Sequence, residues 1–318
     1  MLVILLAGLP LTLALSRYSE LNPAIQYHVL VLKYIGINII LAVSLNLVNG
    51  YMGEFSVGHA GFMAIGAYTA AYLSGDILPW NAVPYLFPLT LIMGGIAAGL
   101  VGMVVAIPSF RTRGDYLAIV TLAFNMIVKS VLENLKFLGG PQGYMRMPVL
   151  TTLTWVYVWV VALLLLARNF VHSRFGRGVL SIREDETASG LVGVNTRQVK
   201  VLTFVISAFI AGIAGGLFSH VVYFINPGSF TILKSTDMLV MIYLGGVGSL
   251  GGSIIGATIY TVLLEALRSI LPLVGVSAEW RWVAAPLFLI FLMIFRPRGI
   301  MGGREFPFLR WNRSKEVP

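Results

Sequence analysis

Long apolar runs recur along the whole chain, and no other feature constrains its fold so tightly. A window of about 19 residues finds them at 2–16, 33–50, 56–74, 84–107, 115–135, 152–170, 200–223, 235–248, 252–271 and 282–296. Only 11% of the 318 residues are charged and 58% are hydrophobic, against roughly 25% charged in a soluble domain. That leaves too few charges to cover a water-exposed surface. In hydrocarbon the backbone must satisfy its own polar groups, which favours helices. The expected fold is therefore all-α, a polytopic integral membrane protein with about ten transmembrane helices, some of them short or broken. The first run has the length of a signal-peptide core. It reads as a retained span instead, because no basic residue precedes it and no small-x-small cleavage site follows.

The basic residues give the orientation. With ten crossings and a cytoplasmic amino terminus, the inner side holds Arg111 and Arg113, six residues from Arg168 to Lys200, and six from Arg296 to Lys315. The outer side holds Arg17, Lys33, Lys136, Arg146, Lys234, Arg268 and Arg281. A two-to-one bias of this kind places both termini in the cytoplasm. It also accounts for the formal net charge of +9 without nucleic acid, because the cations anchor one membrane face. The chain reads as a single membrane domain over 1–318, with a hydrophilic cytoplasmic segment at 174–195 and a basic cytoplasmic tail at 297–318. The absence of cysteine excludes thiol catalysis and cysteine-ligated metal.

Four segments depart from plain apolar helix. At 46–62 the sequence NLVNGYMGEFSVGHAGF interrupts two apolar stretches with glycines, Glu54 and His59. Irregular backbone at membrane depth survives where it lines a cavity or packs within protein. The segment is thus either a broken helix or tight reversal bordering a solute pathway, or a plain cytoplasmic turn. Asn46, Glu54, His59, Phe62 and Tyr68 are its candidate pathway residues. In the fifth run Thr121, Asn125, Lys129 and Glu133 recur every fourth residue and form a drifting stripe on one helix. Asn125 falls near mid-bilayer, about 15 Å from the inner end, and Thr121 and Asn125 join the pathway candidates.

Within LGGVGSLGG, Gly246, Gly248 and Gly251 match a dinucleotide fingerprint, but apolar runs flank them where a βαβ unit would be needed. They read as a glycine-built reversal. No GxxxxGK[ST] occurs, so any ATP must be used by a partner. The fourth segment, RFGRGVLSIREDETASGLVGVN at 174–195, predicts a short helix from about Arg183 with Glu184, Asp185 and Glu186 in its first turn. Its exposed acids and small residues suit docking against another protein. A fainter feature is an echo between Ser56-Val57-Gly58 with Ile65-Gly66-Ala67 and Ser249-Leu250-Gly251 with Ile255-Gly256-Ala257. Ala208, Gly212 and Gly216 form a small-residue seam at four-residue spacing.

Taken in order, NLVNGYMGEFSVGHAGFMAIGAYTAA at 46–71, RGDYLAIVTLAFNMI at 113–127, GGPQGY at 139–144, the 174–195 segment and YLGGVGSLGGSIIGA at 243–257 resemble one family. From about residue 33 to 299 the chain is similar to the permease subunits of bacterial ATP-binding-cassette importers for branched-chain amino acids, specifically the M-type chain of their paired permeases. The resemblance implies a multi-pass protein of the bacterial inner membrane, with no enzyme activity and no cofactor of its own. It implies alternating access driven by two ATPase chains that hold ATP and Mg, a homologous second permease chain and an extracytoplasmic solute-binding protein. It also implies a coupling helix that docks into the ATPase. The importer pattern EAA, three residues, then Gly falls on Thr187-Ala188-Ser189 and Gly193, with the acid displaced to Glu186. Arg183, Glu184, Asp185, Glu186, Ala188 and Gly193 are the coupling candidates on this reading. Urea or short amides are the alternative solutes. A stand-alone channel or secondary transporter would need its own intramembrane carboxylates, for which Glu54, Glu133 and Glu265 are candidates. An enzyme is disfavoured because His28, His59, His172 and His220 are scattered.

Overall fold

The computed structural model describes residues 2–21, 23–79, 83–110, 116–275 and 277–280 without a break, and beyond them 283, 286–287, 290–291, 294–296, 299–302, 304–306 and 309. The Arg111–Asp115 connection, most of the apolar run at 282–296 and the basic tail beyond 309 lie outside the described residues. Among the described residues there are eleven α-helices, and the only β pairing is an isolated bridge between Tyr144 and Ile225. They are α1 (Leu2–Leu21), α2 (Pro23–Asn46), α3 (His59–Tyr72), α4 (Val83–Ser109), α5 (Tyr116–Asn134), α6 (Leu153–His172), α7 (Arg174–Glu184), α8 (Glu186–Leu191), α9 (Thr196–Val222), α10 (Ile232–Gly245) and α11 (Leu250–Ile270).

Among the described residues six helical segments are long and apolar enough to cross a membrane: Ile25–Met52, Tyr85–Ser109, Leu117–Asn134, Leu153–His172, Thr196–Val222 and Leu250–Leu273. Their outer surfaces carry exposed Leu100, Val104, Ile119 and Met126, which water would penalise and lipid accepts. The protein is an all-α, polytopic membrane protein. Two of the sequence runs are realised by short helices. α10 has 14 residues, and α3 also has 14 before it loosens into a π-helical turn at Leu73–Ile77.

α9 is the axis of the bundle, packed between α2, α3 and α4. Its small-residue seam sets these distances. A Cβ on Gly66 of α3 would lie 2.1 Å from the Gly212 carbonyl oxygen, and one on Gly212 would lie 2.6 Å from the Ala98 side chain on α4. Backbones this close exclude any larger residue. Gly216 lies against Leu91 and Ala70, and Ala208 against Gly102, so the seam follows the helix through all three of its positions.

The dinucleotide-like glycines form the reversal between α10 and α11. Gly246 and Gly248 take φ of 126° and 76°, a region that residues with a Cβ avoid. Ser249 then caps α11 by accepting a bond from the Gly252 amide at 2.9 Å. The two halves of the sequence echo pack alike but on different partners. Gly66 meets α9, whereas a Cβ on Gly256 would lie 1.9 Å from the Met241 carbonyl oxygen on α10.

Candidate functional site

The interrupted segment at 46–62 begins as a widening of α2. Residues Leu47–Met52 wind as a π-helical turn that ends at Gly53 with φ 77°, a local form that often marks functional positions. Asn46 holds this turn against the start of α11. Its amide nitrogen donates to the Ser249 carbonyl oxygen and to Ser253 Oγ, both at 2.8 Å, and its Oδ1 accepts from the Gly248 amide at 2.9 Å. Residues 53–58 then form a loop that returns the chain into α3. The loop lies beside α7 and α8. Arg183 donates to the Gly50 carbonyl oxygen at 3.1 Å, and its side chain covers Gly53.

Glu54 is the electrostatic centre of this face. Lys200, in the second turn of α9, reaches Glu54 at 2.6 Å and Glu186 on α8 at 2.8 Å, with only 8% of its side chain exposed. One cation thus ties the loop after α2, the first residue of α8 and the amino end of α9. A cation this buried requires such partners, and removing one would leave an uncompensated charge. The reversal at 246–249 belongs to the same assembly. Glu305 accepts from the Leu250 and Gly251 amides at the start of α11 and from Tyr51 at 3.1 Å, where a carboxylate meets the positive end of the helix.

The acidic stretch is divided differently from the sequence expectation. α7 ends at Glu184, and Asp185 caps the separate short helix α8 by accepting from the Ala188 amide at 2.9 Å. The single helix expected from Arg183 is therefore two, because an Asp at this position satisfies amides better as a cap than within a turn. At the tip of α8, Leu191 and Val192 are 86% and 82% exposed, and Gly190 and Gly193 face open space. An aliphatic pair held outward at the end of a polar, solvent-facing helix is unusual unless something covers it.

His59 and Phe62 lie deep in the joint between helices. Ser207 of α9 donates to the Ser44 carbonyl oxygen at 2.6 Å, so His59 Nε2, 2.7 Å away, donates to Ser207 Oγ. Its Nδ1 faces Ser56 Oγ at 3.4 Å. Phe62 packs between Phe124, at a tilt, and Phe204, edge to face. Thr121 accepts from the Val57 amide at 3.2 Å. Tyr68 donates weakly to the Ile225 carbonyl oxygen at 3.4 Å and borders an apolar cavity of about 520 Å³ between α3, α4 and α5.

The fourth-residue stripe on α5 splits as it drifts. Thr121 and Asn125 turn inward and are buried, whereas Lys129 and Glu133 pair at 3.7 Å on the exposed side. The Asn125 Oδ1 atom is buried with no hydrogen-bond partner among the described residues. Among the described residues there is no group of three histidine or acidic side chains that could hold a metal.

The bundle, its inner-joint polar network and the projecting α7–α8 pair can be set beside known proteins. Residues 27–295 match the family described as the permease component of the branched-chain amino acid transport system. The chain belongs to that family. It is 33% identical over 302 residues to the high-affinity branched-chain amino acid transport system permease protein LivM of Escherichia coli K12, covering 83% of this chain and 68% of that one. It is 25% identical over 318 residues to a probable LivM of Methanocaldococcus jannaschii, covering 86% and 92%. It is 27% identical over 303 residues to the Escherichia coli K12 LivH permease, covering 84% and 91%. No solved structure matches. The protein is thus a multi-pass permease subunit of a bacterial-type ATP-binding-cassette importer, a transport chain and not a catalytic one.

Pattern reading of the sequence missed Lys200, Leu191, Val192 and Glu305. Lys200 sits at the boundary of an apolar run and looks like one more membrane-edge cation. No sequence signal sets it apart from the others, and only the structure places it one and a half turns inside α9.

Proposed function

We propose that the chain forms half of the transmembrane pathway of an importer for branched-chain amino acids, with about ten crossings and both termini in the cytoplasm. Two ATPase chains, a homologous second permease and an extracytoplasmic solute-binding protein complete the machine. The observation that carries this reading is the Lys200 triad. A helix that only connected two spans would not need a buried cation joining its first residue to the loop of a broken membrane helix.

In this reading α8 docks on the ATPase through Leu191 and Val192, with Ala188 and Gly193 allowing close approach. Arg183, Glu184, Asp185 and Glu186 set the angle between α7 and α8. Closure of the ATPase pair pulls α8, and Lys200 passes the displacement to Glu54 and to α9. Only contacts that differ between the inward- and outward-open states can shift that equilibrium.

The pathway runs along the exposed side of α5, where Lys129 and Glu133 sit in a largely apolar face that the second permease covers. Asn125 and Tyr68 border it. Asn46, His59, Phe62 and Thr121 hold its wall, and Glu54 links the wall to the cytoplasmic helices. The apolar lining near Tyr68 and Phe124 suits an aliphatic side chain.

Uptake of radiolabelled leucine and of urea, in cells with and without this chain, tests the proposal. Loss of leucine uptake alone, restored by the intact gene and not by a Leu191→Asp, Val192→Asp version, supports solute and docking site together. Loss of urea uptake alone keeps the importer and overturns the solute.

A further inference from the structure

At the end of the bundle opposite α7 and α8, a cavity of about 720 Å³ opens between α1, α2, α6 and the end of α9. Lys33 stands in its wall, half-buried, and forms no ion pair among the described residues. Two described acids elsewhere on this face are already engaged. Glu265 takes Tyr27 at 2.8 Å and Arg268 at 3.7 Å, and Asp76 takes Tyr144 at 2.8 Å. A cation withdrawn from water without a counter-charge is costly unless an anion is supplied from outside the chain.

Three further features converge on the same space. Thr152 lines the cavity while capping α6 through the Trp155 amide at 3.3 Å, so the positive end of a 20-residue helix borders it. Tyr34 and Tyr223 line it with their phenol-bearing side chains. Tyr223 is the one described non-glycine residue with positive φ, at 44°, a conformation that is retained where surrounding structure fixes it. Leu30 and Val222 make part of the wall apolar.

We propose that this cavity is a binding site for an acidic membrane lipid, whose phosphate pairs with Lys33 and whose glycerol and upper chains rest on Leu30 and Val222. A membrane-embedded opening with one cation, hydroxyl donors and an apolar wall matches an amphiphile better than a free ion. The site lies outside the α8–Lys200–Glu54 assembly and needs only that the chain be in a bilayer.

The test uses the full chain extracted in mild detergent, with native mass spectrometry reading retained lipid and thermal unfolding reading stabilisation. Phosphatidylglycerol should be retained and should raise the melting temperature, whereas phosphatidylcholine should do neither. Lys33→Met should lower phosphatidylglycerol retention by roughly fivefold, the effect of one interfacial cation, while Lys33→Arg keeps it. Lys136→Met, an exposed cation on the same face, should change nothing. Should Lys33→Met fail to reach the membrane, Tyr223→Gly carries the comparison, because glycine tolerates φ 44° and should lower retention by removing only the phenol. Equal retention by wild type and Lys33→Met, equal binding of phosphatidylcholine, or a loss in Lys33→Arg as large as in Lys33→Met overturns the proposal. Stabilisation by inorganic phosphate as large as that by the lipid also overturns it, since the site would then take a free anion.

Discussion

Two lysines at opposite ends of the bundle show how the same residue is used in contrary ways. Lys200 is buried between two carboxylates drawn from separate elements, so its charge is consumed inside the protein and its position depends on both neighbours. Lys33 is half-buried with no described carboxylate against it, so its charge is directed outward into a cavity. The difference teaches that one end is built as a closed joint and the other as an open receptor. A closed joint transmits motion, because any shift of α8 must move or break it. An open receptor transmits nothing by itself and waits for an anion.

Breaking the joint should give the largest effect. Lys200→Met leaves Glu54 and Glu186 facing each other without a cation, and because both carboxylates keep some solvent the loss costs about 1–3 kcal/mol. ATP-driven leucine uptake in reconstituted vesicles should fall to background, and the purified chain should unfold at a lower temperature. The two partners should then separate by role. Glu54→Gln, at the membrane loop, should reduce both stability and uptake. Glu186→Gln, on the more exposed α8, should reduce uptake while leaving the melting temperature nearly unchanged. Equal effects from the two glutamates would show that Lys200 is a structural clasp only.

The docking tip proposed on α8 comes next in size. Leu191→Asp with Val192→Asp removes two exposed aliphatic side chains and should not touch the bundle. Burial of each such side chain at an interface contributes about 1.5–3 kcal/mol, so co-purification of the ATPase should drop by at least roughly tenfold. The melting temperature of the isolated chain should stay constant. A variant chain that still carries its ATPase would move the docking site away from α8.

Much of this architecture was legible in the residues, and the failures have physical causes. Apolar run length gave the spans at α4, α5, α6, α9 and α11 because the bilayer fixes helix length independently of partners. The seam of Ala208, Gly212 and Gly216 was legible for a similar reason, since only small residues permit backbone contact. The Asp185 break was not, because an acid-rich turn fits a helix start at several positions and only tertiary context selects the cap. Lys200 was hidden because its meaning lies in Glu54 and Glu186, 146 and 14 residues distant in sequence. The stripe on α5 was found as a stripe, but its division into a buried and an exposed half depends on how far it drifts around the helix against α3. For the 174–195 segment, pattern alone presented an exposed acidic helix, and the coupling role proposed for it comes from resemblance to a family.

The smallest expected effect sharpens the contrast from the open side. There the loops are joined by backbone bonds and by a partly exposed carboxylate, Asp76, which Tyr144 and Arg146 share, rather than by a buried cation. Tyr144 exchanges backbone bonds with Ile225, its amide donating at 2.8 Å and its carbonyl accepting at 3.1 Å, while its hydroxyl donates to Asp76 at 2.8 Å. Burial, reinforced by the bond to the Asp76 carboxylate, holds the Tyr144 phenol well above its ordinary value near 10. A phenol raised in this way binds its proton more tightly folded than unfolded. Its contribution to stability is therefore complete below pH 10 and declines as pH rises past that value, where the unfolded chain loses the proton first. Tyr144→Phe should cost about 1 kcal/mol at neutral pH, the net worth of one hydrogen bond with its acceptor partly exposed. The gap in melting temperature between wild type and variant should narrow above pH 10, while uptake at neutral pH stays close to wild type. A gap that stayed constant with pH would mean that Tyr144 acts through its ring packing alone. A large loss of uptake would mean that this face, too, is a joint.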